Sequence, residues 1–386
     1  MTICFLSTIP FETSRLFARQ CCGIANNGAR VILIAPWVLP RNLSSVEVRG
    51  VCSWPGALGR FFSAPVVLWS ALKVRADIYH IHSIQLVLCA VVLKVVFRKR
   101  VVYDMFEDFG SMVLTNNSVP RCFRKFIRHV IYLLEKLACS TVDGVVTADP
   151  AVISIYSSKK KVIGRAKRRV FYNFPAAWFL KSCELQRERC TKKYDVVFSG
   201  GLSGRTGLVV LLEAVELMAQ AGLRPKVLMF GYADDGMFVR KYLIEAARRG
   251  VGDCFEILGR VSPFEVPLLV SQARVGVVPL QAVPKFLNNI PTKMFEYWAC
   301  GLPVVASDLP PIRLFFREGE LGHLVDPMDA RGFARCIGGL LVNTRKAEAL
   351  GARARDAVQR RMHGEHELRK LARLYSTIGG REEDAR

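Results

Sequence analysis

The segment from Asn288 to Ser307 gathers the residues best suited to chemistry. Lys293 and Glu296 lie three apart and Thr292 and Glu296 four apart, so a helix there puts all three on one face. The punctuation predicts such a helix. Asn288 or Asn289 can cap its start, Pro291 suits the first turn, and Gly301 with Pro303 ends it before the β-rich Val304-Val305-Ala306. The start of a short helix points backbone N–H groups at an anion. With Lys293 beside it, that end can hold a diphosphate, while Glu296 accepts hydrogen bonds from the two hydroxyls of a ribose. A solvated surface helix carrying a Lys–Glu pair is the plainer alternative.

Elements able to position this segment are legible on both sides of it. In the front half, Ile3 to Ser7, Val31 to Ala35, Ile78 to Ile81, Arg100 to Tyr103 and Gly144 to Thr147 read as strands. Helical stretches such as Ser14 to Asn26 separate them. The pattern restarts with Asp195 to Ser199, a helix over Gly207 to Ala219, and Lys226 to Phe230. Phe255 to Leu258, Val275 to Val278 and Val304 to Ala306 complete it. Continuous apolar strands alternating with helices predict parallel sheets covered on both faces. The expected fold class is therefore α/β, with two doubly wound Rossmann-like domains facing each other across a crevice at the strands' carboxyl ends. The expected boundaries are 1–175, a polar linker over 176–193, a second domain over 194–362, and a terminal helix and tail over 363–386.

Charge narrows the partners. The chain has 386 residues and a formal net charge of +22. Residues 1–190 hold 27 basic and 11 acidic side chains, against 28 and 22 in residues 191–386, so the front half carries most of the field. Arg121-Cys122-Phe123-Arg124-Lys125-Phe126-Ile127-Arg128 alternates cations with bulky apolar groups at helical spacing. Such a helix suits an anionic membrane surface. An ordinary solvated face and nucleic acid are the alternatives, and no zinc-finger or RNP-type motif supports the latter. Ser83 to Phe97 is too short for a span and is interrupted by Lys94, which predicts a buried helix and strand. Twelve scattered cysteines without a CxxC pair read as reduced, buried hydrophobes. With no secretory leader recognisable at the N-terminus, these features predict a cytoplasmic protein, peripheral on the inner membrane face.

Pro291 to Ser307 resembles the P-x-K-x-F-E-Y-x-A-x-G-x-P-V-V-A-S signature of retaining GT-B glycosyltransferases, specifically glycosyltransferase family 4. Val197 to Leu202 followed by Arg205 resembles the first strand and loop of that family's donor domain. Phe255 to Val261, Val275 to Leu280 and the G-x-L-V-x-P turn at Gly322 to Pro327 resemble later parts in order. The resemblance implies transfer of a sugar from a nucleoside-diphosphate-sugar, with no metal or other cofactor. Arg205 and Lys293 would neutralise the leaving diphosphate, Glu296 would hold the ribose, and the backbone at Gly259-Arg260-Val261 would line the base. Asn288, Asn289 and Thr292 complete the expected donor set. Asp234-Asp235 reads as a solvated turn rather than an Asp-x-Asp metal motif.

Two positions depart from the family pattern. Asn288 stands where a carboxylate commonly addresses the transferred sugar. Phe106, in Val101 to Asp108, occupies the place of a His thought to support the reacting centre. Asp104, Glu107 or Asp108 would have to substitute, and Glu107 is the catalytic candidate. His80 and His82 read as structural strand-end residues more than catalytic ones. Pro10 to Arg15 resembles an acceptor-side loop, which makes Glu12 and Arg15, with Asp108, the acceptor-binding candidates. Helix capping by Thr13 or Ser14 with an intrahelical ion pair is the alternative for that loop. The expected acceptor is a lipid-linked saccharide of envelope or exopolysaccharide assembly, and the alternative function is an inactive nucleotide-sugar-binding scaffold at the membrane.

Overall fold

The structure is a computed structural model. It describes every residue except 10–13, 37–40, 44, 53, 55, 115–118, 158–165, 234–235, 317–318 and 381–386. The chain divides into two compact units, Met1–Asn173 with Gly364–Arg386, and Phe174–His363.

The first unit is built on an eight-stranded sheet. Its strands are β1 (Thr2–Leu6), β2 (Arg30–Pro36), β3 (Arg41–Leu43), β4 (Val46–Val51), β5 (Ile78–Ile81), β6 (Val101–Met105), β7 (Gly144–Thr147) and β8 (Lys167–Val170), in the order β3-β4-β2-β1-β5-β6-β7-β8. All neighbours are parallel except β3 and β4. Alternation within β1 sends Cys4 and Leu6 to one face and Ile3 and Phe5 to the other, and both faces are covered. Helices α1 (Gly56–Leu72), α2 (Val87–Val95) and α4 (Arg121–Thr141) cover the Cys4 face, and α3 (Phe109–Leu114) packs against α4. The terminal helix, Gly364–Gly379, covers the other face through Leu368, Leu371, Leu374 and Tyr375. Strand order reverses between β1 and β5, the switch point where an open α/β sheet leaves a crevice.

The second unit has six parallel strands, β9 (Tyr194–Ser199), β10 (Val227–Phe230), β11 (Phe255–Ile257), β12 (Ala273–Val278), β13 (Val304–Ser307) and β14 (Gly322–Val325), in the order β11-β10-β9-β12-β13-β14. Its switch point lies between β9 and β12. The expected polar linker is in fact mostly helix, α5 (Ala177–Arg189), grouped with this unit. Phe179 and Cys183 are buried on it, and two or three apolar anchors per helix were too few to read against its charges. Four strands carry no clear signal in the sequence. β3 pairs antiparallel with β4 at one edge, the arginine-rich β8 closes the opposite edge, and β14 lies where the sequence predicts a turn. Charged edge strands lack the apolar run that betrays a central strand, because one side faces water.

Candidate functional site

The chemically promising segment folds much as its punctuation predicts, but its start differs. Two helices replace one: α6 (Pro284–Asn288) and α7 (Thr292–Ala299). Pro291 is itself the N-cap of α7, in an extended conformation, and no side chain caps that end. Asn288 closes α6 and Asn289 is its C-cap, so neither caps α7 as expected. The reason is local: a residue preceding proline is driven from helical geometry, which breaks the chain at Ile290. The Asn289 side-chain oxygen is buried with no hydrogen-bond partner.

Packing fixes α7 firmly. Met294, Phe295, Tyr297 and Trp298 are fully buried. The Tyr297 hydroxyl accepts a 2.6 Å hydrogen bond from the Ser199 backbone N–H and lies 3.0 Å from its Oγ, which pins α7 to the end of β9. Burial pushes the Tyr297 phenol above its usual range. The opposite face of α7 carries Thr292, Lys293 and Glu296, all half-buried. Lys293 Nζ sits 3.9 Å from the centroid of the Phe198 ring, and a Cβ on Gly200 would approach it to 2.8 Å. Gly200, at φ 126, is therefore required twice over, by its backbone and by the cation above it. Burial pushes the Lys293 ammonium down to about 7, with Glu296 pulling the other way. A cation held near neutrality under a glycine loop gains most when an anion arrives.

That loop, Gly200 to Gly207, follows β9 at the switch point. Thr206 Oγ1 lies 2.7 Å from both the Gly201 and Ser203 carbonyls, which share its one hydroxyl proton. Gly207, at φ 78, passes so close to Pro279 after β12 that a Cβ would strike its carbonyl. Exposed Arg205 lies between these anchors, and its carbonyl accepts from the Gln281 N–H at 3.2 Å. The Gly231 N–H donates to the Gly259 carbonyl at 2.6 Å, joining the ends of β10 and β11, and exposed Arg260 follows directly. The second unit thus brings Arg205, Lys293, Glu296 and the Gly259–Arg260 turn to the carboxyl edge of one sheet.

The acceptor-side candidates meet a different fate. Glu12 lies outside the described residues, as do Asp234 and Asp235. Arg15 is buried and faces inward: Nη2 and Nε donate to Asp104 at 2.7 and 3.2 Å, and Nη1 donates to the Phe171 carbonyl and to Asn173. Its expected role in holding an acceptor gives way to a buried ion pair, formed because β6 delivers Asp104 directly beneath it. Gln20 Nε2 donates to the same carboxylate at 2.8 Å, and His82 Nδ1 lies 3.1 Å from it. Burial pushes the Asp104 carboxyl up, but Arg15, His80 and His82 outweigh it and hold the group well below the usual carboxylate range. His80 Nδ1 lies 2.5 Å from the Tyr375 hydroxyl of the terminal helix, and burial pushes its imidazole down. Asp108 is also structural. Its Oδ1 accepts from the Ser111 N–H at 2.9 Å at the start of α3 and from Tyr132 at 3.3 Å, while Oδ2 is buried without a partner. Only Glu107 of this group remains half-buried in the turn after β6.

Phe106 itself stacks on His82, with centroids 4.3 Å apart and planes within 10°. His82, directly after β5, thus sets an imidazole against the ring at 106. Among the described residues, no group of three or more His, Cys, Asp or Glu side chains is arranged to hold a metal ion.

Comparison with known proteins bears on the fold and on the second unit. Residues 193–343 match the family model described as Glycosyl transferases group 1. The phosphatidyl-myo-inositol mannosyltransferase of Mycobacterium leprae is 28% identical over 179 residues, which is 45% of this chain and 44% of that protein. The chain thus spans less than half the length of that relative. Sucrose-phosphate synthase from Thermosynechococcus elongatus superposes with a TM-score of 0.76 at 18% identity, over 98% of this chain and 99% of that one. Anabaena HepE in complex with UDP-glucose gives 0.72 at 17%, over 98% and 100%. The chain has the GT-B fold, and the match to the Glycosyl transferases group 1 model falls within its second unit.

Proposed function

We propose that the protein transfers a hexosyl group from a nucleoside-diphosphate-sugar to a lipid-linked or saccharide acceptor at the cytoplasmic face of a membrane. The proposed transfer retains configuration and serves envelope or exopolysaccharide assembly. The observation that carries this reading is the placement of Lys293 and Glu296 at the carboxyl edge of the second sheet, one turn apart beside the Gly200 loop. The start of α7, Lys293 and Arg205 would meet the charge that develops on the departing diphosphate. Glu296 would receive the ribose hydroxyls, and the turn at Gly259 and Arg260 would line the base. HepE was solved with UDP-glucose, which supports a nucleotide-sugar donor. The relative that acts on phosphatidyl-myo-inositol supports a lipid-borne acceptor.

The membrane part of the reading rests on α4. Phe123, Phe126, Val130, Leu133 and Leu137 form an exposed apolar stripe with alternating spacings of three and four. Arg121, Lys125 and Lys136 on the same helix are exposed too. Among the described residues no helix is long and apolar enough to cross a membrane. A helix of this kind lies in the headgroup plane.

Titration calorimetry with UDP and GDP tests the donor site. Glu296→Ala should weaken the preferred nucleotide by roughly ten-fold, the worth of hydrogen bonds to a charged group. Unchanged affinity would sink the ribose assignment. The second reading, a nucleotide-sugar-binding scaffold without turnover, is favoured by one observation, the Phe106 ring where an imidazole is expected. It predicts nucleotide binding without transfer of a labelled sugar, and activity regained in Phe106→His.

A further inference from the structure

Helix α1 is the least explained part of the first unit. Arg60 is the one charged side chain in its sequence GALGRFFSAPVVLWSAL. Ala64, Val67 and Ala71 face the core. The outward face is equally apolar: Phe61, Phe62 and Trp69 project to solvent, with Phe62 71% and Trp69 64% exposed. A helix that is apolar all round is ordinarily enclosed on every side. Here half of it is open. Trp54, just before the helix, is exposed as well.

The surroundings say what covers this face. Helices α1, α2 and α4 lie on the same side of the first sheet, with α2 in contact with both neighbours. Leu88 and Val95 on α2, which touches both α1 and α4, are exposed as well. Cations rim the surface: Lys73, whose Nζ lies 5.3 Å from the Trp69 ring, and Arg98-Lys99-Arg100 beyond α2. Exposed aromatics and aliphatics flanked by cations on one side of the sheet match the boundary between anionic headgroups and acyl chains. A protein partner would need acidic groups to meet the rim and a large apolar area to fill the centre. A bilayer supplies both at once.

We propose that α1 is a membrane-insertion element, with Phe61, Phe62 and Trp69 entering the acyl boundary while α4 and the basic rim hold the headgroups. The inference rests on the membrane reading above but assigns the deeper anchoring to a different helix. The contribution of the cations on α4 and in the basic rim is electrostatic and falls with salt, whereas insertion of the apolar side chains of α1 resists salt.

The test uses the full chain with phosphatidylcholine vesicles, with and without phosphatidylglycerol, at low and high salt. Some vesicles carry brominated acyl chains that quench nearby indoles. Emission from Trp69, isolated by difference from Trp69→Phe, should be quenched on anionic vesicles. The double variant Phe61→Ser/Phe62→Ser should lose vesicle partitioning by on the order of 100-fold at high salt, and less at low salt. Both side chains are exposed, so its thermal melt should match the wild type. Vesicle binding with Trp69 unquenched would overturn the insertion while leaving the membrane reading intact. Absence of binding to any vesicle would overturn both. Self-association in sedimentation that the double variant abolishes, without quenching, would assign the face to a second copy and overturn the proposal.

Discussion

The carboxyl edges of the two sheets face the same physical problem and solve it in opposite ways. At the edge of the first sheet, Asp104 is fully buried and engaged by Arg15, Gln20 and His82. At the edge of the second, Lys293 and Glu296 stay half-buried on one face of α7, with the Lys293 ammonium packed over Gly200. The first edge satisfies its charges internally and so stabilises the fold. The second keeps a cation at the margin of ionisation, where a ligand's charge has most to offer. Charge at a strand's end is therefore a poor guide to function until its partners are known.

The largest effect should come from breaking the first edge. Asp104→Ala removes one member of a buried pair and leaves Arg15 uncompensated, which should cost about 3–5 kcal/mol in urea unfolding. Nucleotide affinity of the folded protein should hardly change. Because the Asp104 pKa is depressed on folding, its stabilisation is present above the unfolded value of about 3.9 and is lost as pH falls, so the variant's acid limb should be shallower. A loss below about 1 kcal/mol would mean that the buried pair contributes no more than a surface ion pair.

Lys293→Met should behave in reverse. Nucleoside-diphosphate affinity should fall by about 10- to 100-fold, as for loss of a charged hydrogen bond, while thermal stability holds or rises. Equal affinity for UDP and uridine in the wild type would break the comparison from the other side.

A pH series sharpens it further. Unliganded Lys293 ionises near 7, and a bound diphosphate must raise that value, so binding takes up a proton above neutrality. Affinity should weaken by up to about ten-fold per pH unit above 7, and Lys293→Arg, charged throughout, should flatten the slope. A wild-type profile already flat between pH 7 and 9 would refute the poised cation.

The smallest effect belongs to Asp108. Its role as the cap of α3 predicts a loss of about 1 kcal/mol in Asp108→Ala, with donor binding unaltered. An acceptor-dependent rise in KM, with kcat held, would instead restore Asp108 to the binding site.

How much of this was legible follows from distance along the chain. The α7 face was readable because Thr292, Lys293 and Glu296 are one helical turn apart and their stop signals adjoin them. The division of the start into α6 and α7 was missed because both asparagines could cap and proline decided otherwise. Arg15 looked available because nothing near it in sequence claims it; its partner, Asp104, lies 89 residues on. The Tyr375 contact to His80 spans 295 residues.

The sequence by itself determined the two parallel sheets, the glycine loops and the helix that carries Lys293 and Glu296. Apolar runs, turn residues and helical spacing act over a few residues and leave their mark locally. The tertiary structure alone decided which charges face each other and which face solvent. It turned Arg15 and Asp108 into scaffold, set His82 against Phe106, and left the aromatic side of α1 open. Those outcomes depend on pairings across strand order, where burial and Coulomb attraction act between residues that the linear chain holds far apart.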